Sequence, residues 1–170
     1  MNEAFDALPA PFEMAETFSQ IHTISWKAAY HDCFPAPYLN GFTPEKRAEI
    51  FRRNYGVGEE RPFLFRRGGM PKGIAILGPS WECEYPEDIG EICAFYTLPE
   101  TWGTGFAQDG MRFCLRYFHE QGYQGAILWV LEKNQRARRF YEKAGFRPDG
   151  THKEFQLDKT FSELRYYMKL

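Results

Sequence analysis

No run in the 170 residues approaches the ~18 consecutive apolar positions of a membrane-spanning helix. The first sixteen residues also lack the basic and apolar regions of a secretion signal, so membrane insertion and export are not expected and a cytoplasmic location is. Charge of either sign is in little excess. Lys and Arg total 21 against 23 Asp and Glu, and a net charge of -2 gives no global pull toward nucleic acid or anionic lipid. Cysteine is sparse and unpatterned: Cys33, Cys83, Cys93 and Cys114 form no CxxC, and no histidine stands at metal-ligand spacing. These cysteines read as reduced thiols, and no metal is expected.

What is present changes period along the chain. Residues 1–12, with Pro9 and Pro11, read as an irregular or weakly extended lead-in. Met14, Phe18, Ile21, Ile24, Ser25 and Ala28 then recur at helical spacing until Pro35 and Pro37 close the pattern. Thr43 before Pro44 reads as the N-cap of a second helix reaching about Asn54. Short strands follow over residues 62–67 and 72–79, turned by Gly68-Gly69 as an antiparallel hairpin, and a third over 89–98 after an acidic, aromatic loop at 81–88.

Met111, Cys114, Leu115 and Phe118 predict a helix that Gly122 ends. The unbroken apolar run 126–131 predicts a strand buried on both faces. Ala137, Phe140, Tyr141 and Ala144 mark another helix, stopped by Gly145-Phe146 in the manner of a Schellman motif, and strands over 146–155 and 162–170 finish the chain. The order helix, helix, β, β, β, α, β, α, β, β, without repeat or long linker, predicts one α/β domain over residues 1–170.

Chemistry concentrates between Glu91 and Phe146. Trp102, Gly103, Thr104, Gly105, Phe106 and Ala107 follow a strand and open a helix, the layout in which backbone N–H groups hold phosphate oxygens. Glycine allows the turn its dihedrals and lets a pyrophosphate approach the backbone. A dinucleotide fingerprint is not met, because Gln108 stands where its third glycine belongs, and no GK[ST] follows to make a P-loop. Further on, Asn134 caps a helix that carries one phenol, Tyr141.

Together these segments resemble the acyl-CoA-binding core of the GCN5-related N-acetyltransferase superfamily. Residues 90–100 resemble its fourth strand and following loop, residues 102–107 its (Q/R)-x-x-G-x-(G/A) phosphate loop, and residues 134–146 its N-x-x-A-x-x-x-Y-x-x-x-G-F segment. Trp102 departs from the usual Gln or Arg, which leaves the backbone cradle but removes one polar side chain, and no first strand is evident.

The resemblance implies a mixed, mostly antiparallel sheet flanked by helices, with acetyl-CoA as co-substrate. It implies that the backbone at Phe95, Tyr96 and Thr97 meets the pantetheine and the developing oxyanion, that the residues 102–107 hold the phosphates, and that Asn134 beside Ala137 bonds the pantetheine amides. Tyr141 would protonate the leaving sulfur, and Glu91, in an otherwise apolar strand, would serve as general base. The loop acids Glu82, Glu84, Glu87 and Asp88 are rivals for that role, with His22 and His31 behind them.

Strand alternation groups Glu91 with Ile89, Cys93, Phe95 and Thr97, a parity that a bulge would change. Trp26 and Tyr30, with Trp81 and Tyr85 from the loop, are the candidate walls for an amine. The function expected is acetyl transfer from acetyl-CoA to a primary amine of a small molecule or peptide, with a homodimer left open. Alternatives are a longer acyl donor, decided by pocket depth near Cys93 and Phe95, and a silent acyl-CoA-binding module, against which the presence of both Asn134 and Tyr141 counts. The arginine clusters at 52–53, 66–67 and 136–139 form no helix of basic periodicity and do not predict nucleic-acid binding.

Overall fold

The computed structural model describes residues 3–82, 84–85 and 88–170. Cys83 and Glu87 therefore lie outside the described residues.

Strand β1 (Phe5–Pro9) pairs antiparallel with β2 (Arg61–Arg67), so the lead-in expected to be irregular is an edge strand. Its pattern hid it for a physical reason. Phe5 and Ala7 pack on one face of the sheet and Leu8 on the other, so apolar and polar residues do not alternate, and its partner is 60 residues away at the Asp6–Arg66 pair. A 3-10 turn at Phe12–Met14 leads into α1 (Ala15–Tyr30). Ile24, expected on the buried stripe, is 53% exposed, and Ser19, Thr23 and Ser25 are buried instead. A short α2 (Ala36–Asn40), begun by prolines that had been read as a stop, precedes α3 (Pro44–Asn54), where the Thr43 hydroxyl accepts from the Lys46 N–H at 3.4 Å.

The sheet continues through β3 (Met70–Pro79), β4 (Ile89–Thr97), β5 (Gly125–Leu131), β6 (Arg147–Gln156) and β7 (Thr160–Lys169). Among the described residues it has seven strands in the order β1-β2-β3-β4-β5-β7-β6, antiparallel except for β4 beside β5. Helices α4 (Phe106–Glu120) and α5 (Gln135–Ala144) cover one face, with Phe65, Phe106, Phe118, Leu128 and Phe146 beneath them at 0–1% exposure. Helix α1 covers the other, over Leu64 and Ile74, and α3 packs against α1. Gly90 is where α4 comes closest: a Cβ there would sit 2.5 Å from the Phe118 ring.

Helix α5 stops as its sequence predicts. Gly145 adopts φ +111°, the Phe146 N–H donates to the Tyr141 carbonyl at 3.0 Å, and the Phe146 ring packs 6.2 Å from that of Tyr141. No helix among the described residues is long and apolar enough to cross a membrane.

Candidate active site

Two irregularities in the sheet create the site. Strand β4 pairs with β5 only over residues 89–92, against 125–128, and beyond Ile92 and Leu128 the two part. In addition, Ile76 pairs with Ala94 but Leu77 with Ile92, so Cys93 is an extra residue, a β-bulge. The bulge reverses the parity along β4. Ile92, Phe95 and Thr97 face α4 and α5, whereas Glu91, Ala94 and Tyr96 face α1, so Glu91 does not share a face with Phe95 and Thr97 as simple alternation predicts.

Where the strands part, a cavity of about 240 Å³ opens. Its walls include Tyr30 from α1, residues 93–97 of β4, residues 128–130 of β5, Trp102, Gly103 and Ala107 of the turn, and Asn134, Arg136, Ala137 and Tyr141. Strand β4 keeps β3 and strand β5 keeps β7 on their outer edges, but beyond Ile92 and Leu128 their facing inner edges no longer pair with one another, and a ligand can take that place.

At its upper end, the turn brings α4 to the cavity by its N-terminus. Gly103 and Gly105 sit at φ +77° and +85°, with no protein atom within 4 Å of an added Cβ. The glycines are there for their dihedrals, not to avoid a protein neighbour. The Trp102 and Thr104 N–H groups are used within the turn, bonded to Pro99 and Thr101 carbonyls, and the first intrahelical bond is from Asp109 to Gly105. The N–H groups of Phe106, Ala107 and Gln108 are thus free of the helix ladder, in a positive end suited to phosphate. Phe106's own ring is fully buried, 5.5 Å from Phe5, so only its backbone can serve a ligand. Thr104 is turned away from the cavity and accepts from Arg67 at 3.1 Å.

Trp102 has a role of its own. Its indole N–H donates to the Thr97 carbonyl at 3.0 Å, tying the turn to the end of β4, and its ring carries the Arg136 guanidinium 3.3 Å above it. The polar group that a Gln or Arg would have supplied from position 102 is replaced by a cation from α5. Arg136 was not singled out from the sequence, where it stands in an arginine run; only its stacking on Trp102 marks it.

Tyr141 lines the cavity with its ring against Phe140 and Phe146. Burial, with Tyr30 and Cys114 beside it, pushes its phenol well above the usual range, so it holds its proton throughout the physiological range. Asn134 caps α5, its Oδ1 accepting from the Ala137 N–H at 3.1 Å, while its amide also favours the Tyr30 oxygen. Tyr96, beside Tyr30, is held far above its ordinary pKa chiefly by burial, with Tyr30 raising it further. Tyr30 from α1, Tyr96 from β4 and Asn134 at the start of α5 thus cluster on the cavity wall.

Glu91 does not line the cavity. It lies half-buried on the α1 side of β4, its carboxyl raised chiefly by desolvation, with Glu82 and Glu60 raising it further and Lys153 and Ser80 opposing. Among its rivals, Glu82 and Glu84 are committed to Arg165, at 3.2 and 3.1 Å, and exposed His31 pairs with Asp32 at 3.0 Å. Trp26 stacks on Phe42 at 4.2 Å and is buried in the helical layer, not in the cavity wall. Trp81 is 78% exposed, and Tyr85 stacks on Tyr167 with its hydroxyl donated to Asp149, so neither reaches the cavity. Of the four aromatics expected around an amine, Tyr30 alone lines it.

Comparison with known proteins matches residues 23–146 to the acetyltransferase (GNAT) family. A probable N-acetyltransferase of Mycobacterium tuberculosis is 37% identical over 88 residues, 52% of this chain and 47% of that protein. An uncharacterized N-acetyltransferase of Archaeoglobus fulgidus is 41% identical over 80 residues, 46% of this chain and 54% of that one. The chain spans about half the length of these curated relatives.

Among solved structures, the PaiA N-acetyltransferase of Thermoplasma acidophilum in complex with coenzyme A superposes with a TM-score of 0.76 over 98% of this chain and 99% of that one, at 17% identity. The spermidine N-acetyltransferase of Vibrio cholerae in complex with CoA and spermine gives 0.72 over 97% and 95%, at 20% identity. At such identities the likeness is one of fold.

Proposed function

Since the chain belongs to the acetyltransferase (GNAT) family, we propose that it transfers an acetyl group from acetyl-CoA to a primary amine of a small molecule or peptide. The observation that carries this reading is the parting of β4 from β5 directly beneath the glycine turn, with Asn134 and Tyr141 on the facing helix. An elongated ligand with phosphates at one end fits those features together: free first-turn N–H groups and Arg136 for the charged end, unpaired strand edges for amide groups, and a protonated phenol for the reacting end.

When bound, acetyl-CoA would supply an acyl carbon that bonds to the acceptor nitrogen as the carbon–sulfur bond breaks, an ammonium nitrogen giving up two protons, one to a base and then solvent before attack and one after it, and the sulfur ending with one. The protein's part is to place and move those protons. Tyr141, kept neutral by burial, donates to the sulfur end. Backbone N–H groups along residues 94–97 stabilise charge developing on the acyl oxygen. Glu91, the one carboxylate of β4, lies on the α1 side of the sheet outside the cavity wall and takes the amine's proton through water; its raised pKa brings it closer to the working range of a base.

An acetyl-CoA-dependent thiol-release screen across polyamines, amino acids, aminoglycosides and peptides tests the reading, with Tyr141→Phe alongside. Turnover of an amine is expected, falling by ~10² or more in the variant while CoA still stabilises it thermally. Thermal stabilisation by CoA with no acceptor turned over would favour a binding module instead.

A further inference from the structure

A second cavity, of about 120 Å³, lies between α1, α3 and the β3 face, with Ser19, His22, Arg47, Asn54, Glu60 and Ile76 among its walls. Two of its polar atoms lack partners among the described residues. Ser19 is 1% exposed and its hydroxyl makes no hydrogen bond, and the buried Nε of Arg47 makes none either, among the described residues. Arg47 forms no ion pair among them; its guanidinium lies 3.6 Å over the Phe42 ring and is partly desolvated. Glu60 lines the same cavity without reaching it. A partly desolvated guanidinium with an unpaired donor and an unpaired hydroxyl lining the same cavity is the chemistry of a carboxylate site.

Both cavities are lined by α1. Ser19 and His22 line one and Ser25, Ala29 and Tyr30 line the other, all on α1, and six residues of helix separate Ser19 from Ser25 by about 9 Å. The His22 ring packs 4.9 Å from Tyr96, a wall of the first cavity. The Cys93 thiol, on another wall of the first, is raised by desolvation, then by the charge of Glu91 and then by that of Glu60.

We propose that the second cavity is the far end of the acceptor site, and that the acceptor is an amine bearing a carboxylate several bonds away, the carboxylate held by Arg47 and Ser19 and the ammonium drawn past Glu60 toward Cys93 and Ala94. This rests on the amine-acetylating reading above. Glu60 would favour the ammonium end and oppose a second carboxylate, so the site selects a zwitterion over a dicarboxylate. The spacing of about 9 Å along α1 sets the length, beyond the reach of an α-amino acid.

The test is a ladder of ω-amino acids from glycine through 4-aminobutanoate and 6-aminohexanoate to 8-aminooctanoate, each against the alkylamine lacking its carboxylate. On the wild-type protein, kcat/KM for the longer members should exceed that of the matched alkylamine by ~10-fold or more, with no advantage for glycine. Arg47→Gln should abolish the advantage and Arg47→Lys should restore part of it, with the KM for acetyl-CoA unchanged in both. Equal rates for acids and alkylamines, or an advantage that survives Arg47→Gln, would overturn the proposal.

If no amine is acetylated, the underlying reading fails separately, and calorimetry with CoA present then decides the site. Binding of 6-aminohexanoate over pentylamine that Arg47→Gln removes supports it; no binding refutes it. Retained thermal stabilisation by CoA shows that the variants are folded.

Discussion

The two cavities are built from different materials. The first is made of backbone: parted strands, positive-φ glycines and a helix end, all contributed by consecutive elements between Ile89 and Ala144. The second is made of side chains, Ser19 and His22 from α1, Arg47 from α3 and Glu60 from the approach to β2, brought together by packing across the α1 face. A backbone site tolerates little change in conformation but much in side-chain identity, which is why a tryptophan can stand at position 102. A side-chain site keeps its fold when a residue changes and alters what it accepts. On the proposed reading, donor binding and acceptor choice are thereby separated in the molecule.

The sharpest way to break that contrast is Gly105→Val. A β-branched residue at φ +85° is strained and its methyls would occupy the space above the free N–H groups, so stabilisation by CoA should vanish from thermal melts. Full retention would mean that the turn does not hold the phosphates.

Next in size is a pH effect seated in the second cavity. His22 is held neutral, its pKa lowered from 6.5 to about 4, chiefly by burial and then by the Arg47 charge. Between those values the unfolded chain binds a proton that the native one does not, so stability should fall as pH drops from about 6.5 to 4, by about 3 kcal/mol at most. His22→Gln should flatten that part of the denaturation profile while leaving CoA binding in place. An unchanged slope would show that His22 protonates freely in the fold.

Smaller still is Glu91→Gln, expected to lower kcat/KM by ~10-fold at pH 6–7 and less as pH approaches the amine's own pKa near 10. Because burial raises the Glu91 carboxyl, the wild-type rate should begin to fall at a higher pH than an ordinary carboxylate would give. A ratio that is flat with pH, with chemistry rate-limiting, would move the search for the base to Asp88.

The mildest change is Arg136→Gln. Loss of the cation over Trp102 should raise the KM for acetyl-CoA by ~5-fold with kcat unaffected, as a contact made equally in ground and transition states would. An effect on kcat alone would place Arg136 at the reacting end.

Much of the donor side was legible in the chain because its signals are local. A glycine pair after a strand, an asparagine before a helix and a Gly-Phe stop each state a backbone conformation within a few residues, and Gly103, Gly105, Asn134 and Gly145 adopt the conformations that their positions predict. Helix α3 and the Gly68-Gly69 hairpin were legible for the same reason. Strand β1 was not, since its five residues are buried in part on both faces and are strands only because β2 is there. Nor was the bulge at Cys93, which exists as a mismatch of count between β3 and β4 and has no mark in either sequence.

By itself, then, the sequence determined the alternation of helix and strand in the core, the glycine turn before α4 and the place of Tyr141 on α5, because hydrophobic period and glycine dihedrals act over a few residues. Tertiary structure alone decided which side chains share a space. It separated the face of Glu91 from that of Phe95 and Thr97 by one extra residue, removed Trp81 and Tyr85 from the cavity, set Arg136 on Trp102, and left Arg47 above Phe42 with no ion pair among the described residues. Those outcomes depend on register and packing between segments far apart in the chain, and no period or motif within one segment encodes them.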